Sequence, residues 1–167
     1  MDIEKILRGR RILIVDDEKD VLDVLTDLLD ICQIDSAMSF EKAKNLLEEN
    51  IYDVAVLDIM GVNGFELLNI ANKHKIPALM LTAHGLSEEN LLRSAKKGAA
   101  YYAPKDEIKN IAVFIADVIE ARDKNKNVWS RWFDRLGRYY DKKFGGTDWR
   151  EKEKEYWDKK LKDLPSV

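Results

Sequence analysis

A chain of 167 residues, 46% hydrophobic and 35% charged, has room for one α/β domain of about 120 residues and a smaller appendage. No apolar run approaches the roughly 18–20 residues of a membrane span, and the run after Arg8, Arg10 and Arg11 is too short for a secretion signal. The single cysteine, Cys32, excludes an internal disulfide and a thiolate metal site and suggests a reducing, cytoplasmic setting.

Charge is uneven along the chain. Residues 1–121 hold 14 Lys and Arg against 22 Asp and Glu, whereas residues 122–167 hold 14 against 9. An acidic domain with a basic tail predicts two parts that meet different partners, or a tail docked on its own domain.

Residues 11–15 are an apolar, β-branched run ending in Asp16 and Asp17, the pattern of a strand buried on both faces. Val21, Leu22, Val24, Leu25, Leu28, Leu29 and Cys32 then recur at helical spacing. They predict a helix over 18–31 with the thiol on its apolar face. A short second strand follows at 34–38, and Ser39 is a good N-cap for a helix over 40–49. The central strand, 53–57, places Asp58 just past its carboxyl end, before a Gly61-Val62-Asn63-Gly64 loop and a helix over 65–73. Pro77 opens a fourth strand that ends in Thr82 and Ala83. Ser87 caps a helix over 88–97, which Gly98 ends. A fifth strand over 99–103 leads through Pro104 to Lys105, and a last helix over 106–121 turns Ile108, Ile111, Ile115, Val118 and Ile119 inward.

Repeated alternation of strand and helix implies a parallel sheet with helices on both faces. Right-handed crossovers favour the doubly wound, flavodoxin-like five-stranded α/β order 2-1-3-4-5. Residues 1–121 therefore read as one domain. From 122 to 167 the chain reads as a helical extension. Residues 123–127 are polar but lack Pro and Gly, so the preceding helix is free to run on through them. Val128, Trp129, Trp132, Phe133, Leu136, Tyr139 and Tyr140 make an aromatic face, and Gly145-Gly146 a turn. Asp148 with Glu151 looks like a capping box that opens a second helix to about 163 with Trp149, Tyr156, Trp157 and Leu161. The expectation is a helical hairpin whose aromatics form its core or a seam against the first domain.

Open parallel sheets hold their ligands outside the carboxyl ends of the strands. Here that edge collects Asp16, Asp17, Asp58, Thr82 and Lys105. Carboxylates converging without His or Cys favour a hard cation such as Mg²⁺. A lysine and a hydroxyl add the donors a phosphoryl group needs. A carboxylate nucleophile beside them is a site for aspartyl-phosphate formation.

The ordered set Ile12-Leu13-Ile14-Val15-Asp16-Asp17-Glu18, Leu57-Asp58-Ile59-Met60, Met80-Leu81-Thr82-Ala83, and Gly98-Ala99 with Tyr102 and Lys105 resembles the receiver domain of two-component response regulators. The resemblance covers residues 10–121 and none of the tail. It implies that Asp58 accepts a phosphoryl group from the phosphohistidine of a sensor histidine kinase or phosphotransfer protein. Asp17, Asp58 and the Met60 carbonyl would hold Mg²⁺, with Asp16 bound through water. Lys105 would pair with the phosphoryl oxygens and Thr82 would hydrogen-bond one of them. Tyr102 would follow Thr82 inward as an aromatic switch. Such a domain is a phosphoacceptor that assists its own chemistry, not an enzyme acting on a separate substrate.

The chain departs from the family pattern twice. The loop after Met60 is shorter and lacks the usual proline, and the order Pro104-Lys105-Asp106 replaces a lysine followed by proline. A trans peptide before Asp106 with an altered turn is therefore expected. His84, two residues past Thr82, is placed to modulate dephosphorylation, and His74 reads as solvated. The favoured output is protein contact or homodimerisation through the receiver face and tail. The runner-up is a transcription regulator using the basic aromatic tail on DNA. A carboxylate-nucleophile phosphatase ranks last, because Met60 stands where that class has its second Asp.

Overall fold

A computed structural model of the chain describes residues 1–83 and 88–162. Strands β1 (Arg11–Val15), β2 (Gln33–Ala37), β3 (Val54–Asp58), β4 (Ala78–Thr82) and β5 (Tyr101–Pro104) form one parallel sheet in the order β2-β1-β3-β4-β5. This is the expected doubly wound topology. Every residue of β3, β4 and β5 is buried, whereas β2, at an edge, is mostly half-buried. The apolar runs are continuous because helices and the extension cover both faces.

Helices α2 (Lys19–Leu28) and α6 (Ile111–Asp123) pack together, as do α3 (Phe40–Glu49) and α4 (Gly64–Lys73). Helix α5 (Glu88–Lys96) lies against β5. A short α1 (Ile3–Leu7), which the periodicity did not reveal, is capped by the Asp2 carboxylate on Lys5 N–H and packs on α6. Helix α2 ends before the expected residue 31. Leu29, at φ −116° and ψ 32°, leaves the helical region, and the chain then turns into β2 with the Ile31 carbonyl accepting from Gly9 N–H at 2.9 Å. The helix expected from 106 begins as a 3₁₀ turn over Lys105–Asn110 and becomes α-helical at Ile111. No peptide bond is cis among the described residues.

Three expectations for the extension are corrected. Helix α6 does not run through residues 123–127. It ends at Asp123, Asn125 takes a left-handed φ of 53°, and Asn127 starts a new helix by accepting Trp129 and Ser130 N–H at 2.9 and 3.2 Å. The second helix of the hairpin is broken into α8 (Asp148–Glu151) and α9 (Lys154–Lys160), after α7 (Val128–Lys143). Trp149 of α8 and Trp157 of α9 are both buried. Between the two helices Glu153 is non-helical, at φ −117° and ψ 30°. Finally, Asp148 is the first helical residue, with Thr147 at the cap position.

The extension docks on the domain. An edge strand exposes unpaired carbonyls, and β5 is such an edge. Trp132 of α7 donates its indole N–H to the Tyr102 carbonyl at 2.6 Å, and Trp129 donates to Ala99 just before the strand at 3.2 Å. The Trp132 ring then stacks on Tyr140, centroids 5.4 Å apart. The fully buried Asp117 of α6 accepts from Tyr101 at 3.0 Å and pairs with Arg135 and Arg131 of α7.

Candidate functional site

The parallel register decides which residues meet. Val15 lies level with Leu57, and Leu57 with Met80, so the residues that follow, Asp16, Asp58 and Leu81, share one rung at the carboxyl edge. Thr82 lies level with Pro104, which places Lys105 beside it at the same edge. Backbone pairing thus brings Asp16, Asp58, Thr82 and Lys105 to one edge, with Asp17 following Asp16 in the chain.

Lys105 is the hub. Its Nζ lies 2.9 Å from Asp16 Oδ2, 3.4 Å from Glu18 Oε1 and 3.6 Å from Asp58 Oδ1. Asp16 is completely buried and Asp58 only 4% exposed. Burial, then the neighbouring Asp16 charge, pushes the Asp58 carboxyl up to about 6, against the opposing pull of Lys105 and the Met60 N–H. Burial likewise raises Asp16, although the Glu18 N–H donates to it at 2.9 Å. For Lys105 burial acts downward, but the carboxylates around it outweigh burial and hold the ammonium above its ordinary value. At neutral pH Asp58 is therefore mostly an anion beside a firm cation.

Asp16, Asp17 and Glu18 present carboxylate oxygens within 4.8 Å of one another. Asp16 Oδ2 is buried and, despite its closeness to Lys105, has no aligned hydrogen bond among the described residues. A buried carboxylate whose one cationic neighbour is the poorly aligned Lys105, beside two more carboxylates, is a donor set that suits a hard divalent cation. Glu18 was quoted in the sequence motif without a role. Its signal was its position two residues past Asp16, where its N–H binds one acid while its carboxylate meets Lys105.

The short loop after Asp58 closes on itself. Met60 donates its N–H to the Asp58 carboxylate, and its carbonyl accepts the Val62 N–H, which leaves that oxygen one lone pair. Gly61 lies against the Asp17 carboxylate, and Gly64 packs on the backbone of Asp58 and Ile59 so closely that neither has room for a Cβ. Sequence reading marked these glycines as a loop and missed that they fit around the acids.

Thr82 ends β4, 2% exposed, and its hydroxyl donates only a long 3.4 Å bond to the Ala83 carbonyl. Tyr102 is turned inward in this structure. Its side chain is already fully buried, with Thr82 as the polar group facing its hydroxyl at less than full hydrogen-bond geometry. Its ring sits 5.6 Å from that of Tyr140 in the extension. The extension occupies the space beyond β5 and holds the ring in. His74 is exposed as expected, while His84 and Ser87 lie outside the described residues. Cys32 is half-buried, and burial pushes its thiol up to about 11.

Known proteins resemble this chain over its receiver part. The family model described as the response regulator receiver domain matches residues 12–114. The heme response regulator HssR of Staphylococcus aureus strain Newman is 37% identical over 122 residues, 69% of this chain and 54% of that protein. The chain thus spans about half the length of the curated relatives it matches. Among solved structures, a Francisella response regulator receiver domain is 26% identical with a TM-score of 0.61, covering 68% of this chain and 99% of that one. A receiver domain protein from Methanospirillum hungatei is 27% identical with a TM-score of 0.58, covering 67% and 98%.

Proposed function

The chain belongs to the response regulator receiver family, and from that premise we propose that Asp58 is its phosphoacceptor, loaded by a sensor histidine kinase or phosphotransfer protein in the cytoplasm. The observation that carries this reading is the convergence of a buried, ionised Asp58 with Lys105 at 3.6 Å and a neighbouring acidic cluster at one sheet edge. An Asp58 carboxylate oxygen bonds to phosphorus as the bond from phosphorus to the donor imidazole nitrogen breaks. Lys105 is placed to neutralise charge on the incoming phosphoryl oxygens, and the Thr82 hydroxyl, poorly engaged here, is free to donate to one of them. Asp16, Asp17 and Asp58, with the Met60 carbonyl, would hold Mg²⁺, and the Glu18 carboxylate stands close enough to join them. When bound, the cation supplies charge neutralisation for the phosphoryl group. The chain is read as a phosphoacceptor and not as an enzyme with a separate substrate.

The output we infer is protein contact through β5, its flanking helices and the extension, by a downstream protein or a second copy. Tyr102 touches Thr82 on one side and Tyr140 on the other, so a change at Thr82 reaches the extension through one side chain. The DNA-binding alternative finds less support, since Trp129, Trp132, Trp149 and Trp157 are all buried and leave the tail's tryptophans no face for bases. Intact mass after acetyl phosphate, with and without Mg²⁺, tests the acceptor assignment. A Mg²⁺-dependent gain of one phosphoryl group, lost in Asp58→Asn, is expected; full labelling of that variant would sink it.

A further inference from the structure

At the opposite edge of the sheet from Asp58, around Ala99 where the chain enters β5, lies a cavity of about 590 Å³. Its wall comes from α5, the connection between α6 and α7, and α9. Five lysines line it: Lys96, Lys126, Lys159, Lys160 and Lys162. None of them has a carboxylate within 4 Å among the described residues, although most other cations of the extension are paired. Lys160 is half-buried, with its Nζ reaching only the Ala95 carbonyl at 3.4 Å, and burial alone pulls its ammonium down. Between the lysines the wall is made by Ala95, Ala99, Val128, Trp129 and Tyr156, with Asn127 as its uncharged amide, and Lys96 Nζ stands 5.3 Å from the Tyr156 ring centroid.

Like charges gathered in a concavity repel one another and concentrate anions there. In an acidic protein this gathering is a local reversal of sign. The concavity is of small-molecule size, whereas a lipid surface is met by a flat or convex basic face. We propose that this cavity binds a nucleotide, its phosphates among the lysines and its base against the apolar wall, and so clamps the extension to the receiver domain. The ligand would bridge Lys96 on the domain with Lys159, Lys160 and Lys162 on the extension. This site shares no residue with the Asp58 cluster, so it stands or falls apart from the phosphoacceptor reading.

The test is calorimetric titration of the full chain with ATP in EDTA, beside arms with pyrophosphate and with anionic vesicles containing phosphatidylserine. ATP should bind more tightly than pyrophosphate, weaken as salt rises, and raise the melting temperature. The double variant Lys96→Gln/Lys126→Gln should lose about tenfold or more in affinity, the scale of charged hydrogen bonds removed. Lys142→Gln/Lys154→Gln, with the same charge change in the extension but outside the cavity, should stay within about twofold. Far-UV circular dichroism and a cooperative thermal melt check that each variant is folded. Equal affinity for ATP and pyrophosphate, binding to vesicles alone, no ATP binding at low salt, or equal losses in the two double variants would each overturn the proposal.

Discussion

Neutralising Asp58 should stabilise the metal-free protein, and by an amount that depends on pH. Its carboxyl sits near 6 in the fold, against an ordinary value of 3.8. A carboxyl raised by folding contributes stability that is fully present below the unfolded value and lost as pH rises through the folded one. Each tenfold change in proton affinity is worth about 1.4 kcal/mol. Asp58→Asn, which mimics the protonated form, should therefore gain about 1 kcal/mol at pH 4.5 and about 3 kcal/mol at pH 8. In a domain of this size the larger gain amounts to roughly 6–12 °C in melting temperature. The side chain is only 4% exposed, so solvent screening removes little of this. Urea melts in EDTA from pH 4.5 to 8 measure it directly, and saturating Mg²⁺ should narrow the difference by stabilising the unsubstituted protein more. A variant less stable at pH 8, or a gain of the same size at both ends of the range, would refute the argument that burial and Asp16 load strain onto Asp58.

Other changes separate the parts of the site and its support. Asp17→Asn should weaken Mg²⁺ about tenfold or more while leaving the apo protein no less stable, because it thins a like-charge cluster; a metal titration with unchanged affinity would contradict this. Gly64→Ala drives a methyl into the Asp58 carbonyl and Ile59 backbone and should cost about 1–3 kcal/mol in urea melts, with slower acetyl phosphate labelling. Trp132→Ala empties the centre of the seam and unpairs the Tyr102 carbonyl. It should cost about 3–5 kcal/mol and raise hydrogen exchange across α7 more than across β1. A beryllofluoride phosphoryl mimic should change exchange in residues 128–143 along with that of β5; a response confined to the domain would make the extension a cover for the β5 edge and nothing more.

The sequence by itself determined the sheet and the site. Five apolar runs, four of them leading into Asp16, Asp58, Thr82 and Lys105, are local signals, and a parallel sheet with right-handed crossovers can assemble such runs in few ways. Once β1, β3, β4 and β5 pair in register, their terminal residues must fall on one edge, so the candidate site was legible before any contact was known. Only the tertiary structure decided the rest. Beyond the end of α2 the Ile31 carbonyl meets the Gly9 N–H, and α8 and α9 part at the non-helical Glu153. The buried position of Tyr102 is set by Tyr140, and the docking of the extension by indole donors that find edge-strand carbonyls some thirty residues away. Periodicity reports which face of an element is apolar. Which distant group satisfies a particular N–H or carbonyl is fixed only when the folded chain brings the two within about 3 Å of each other.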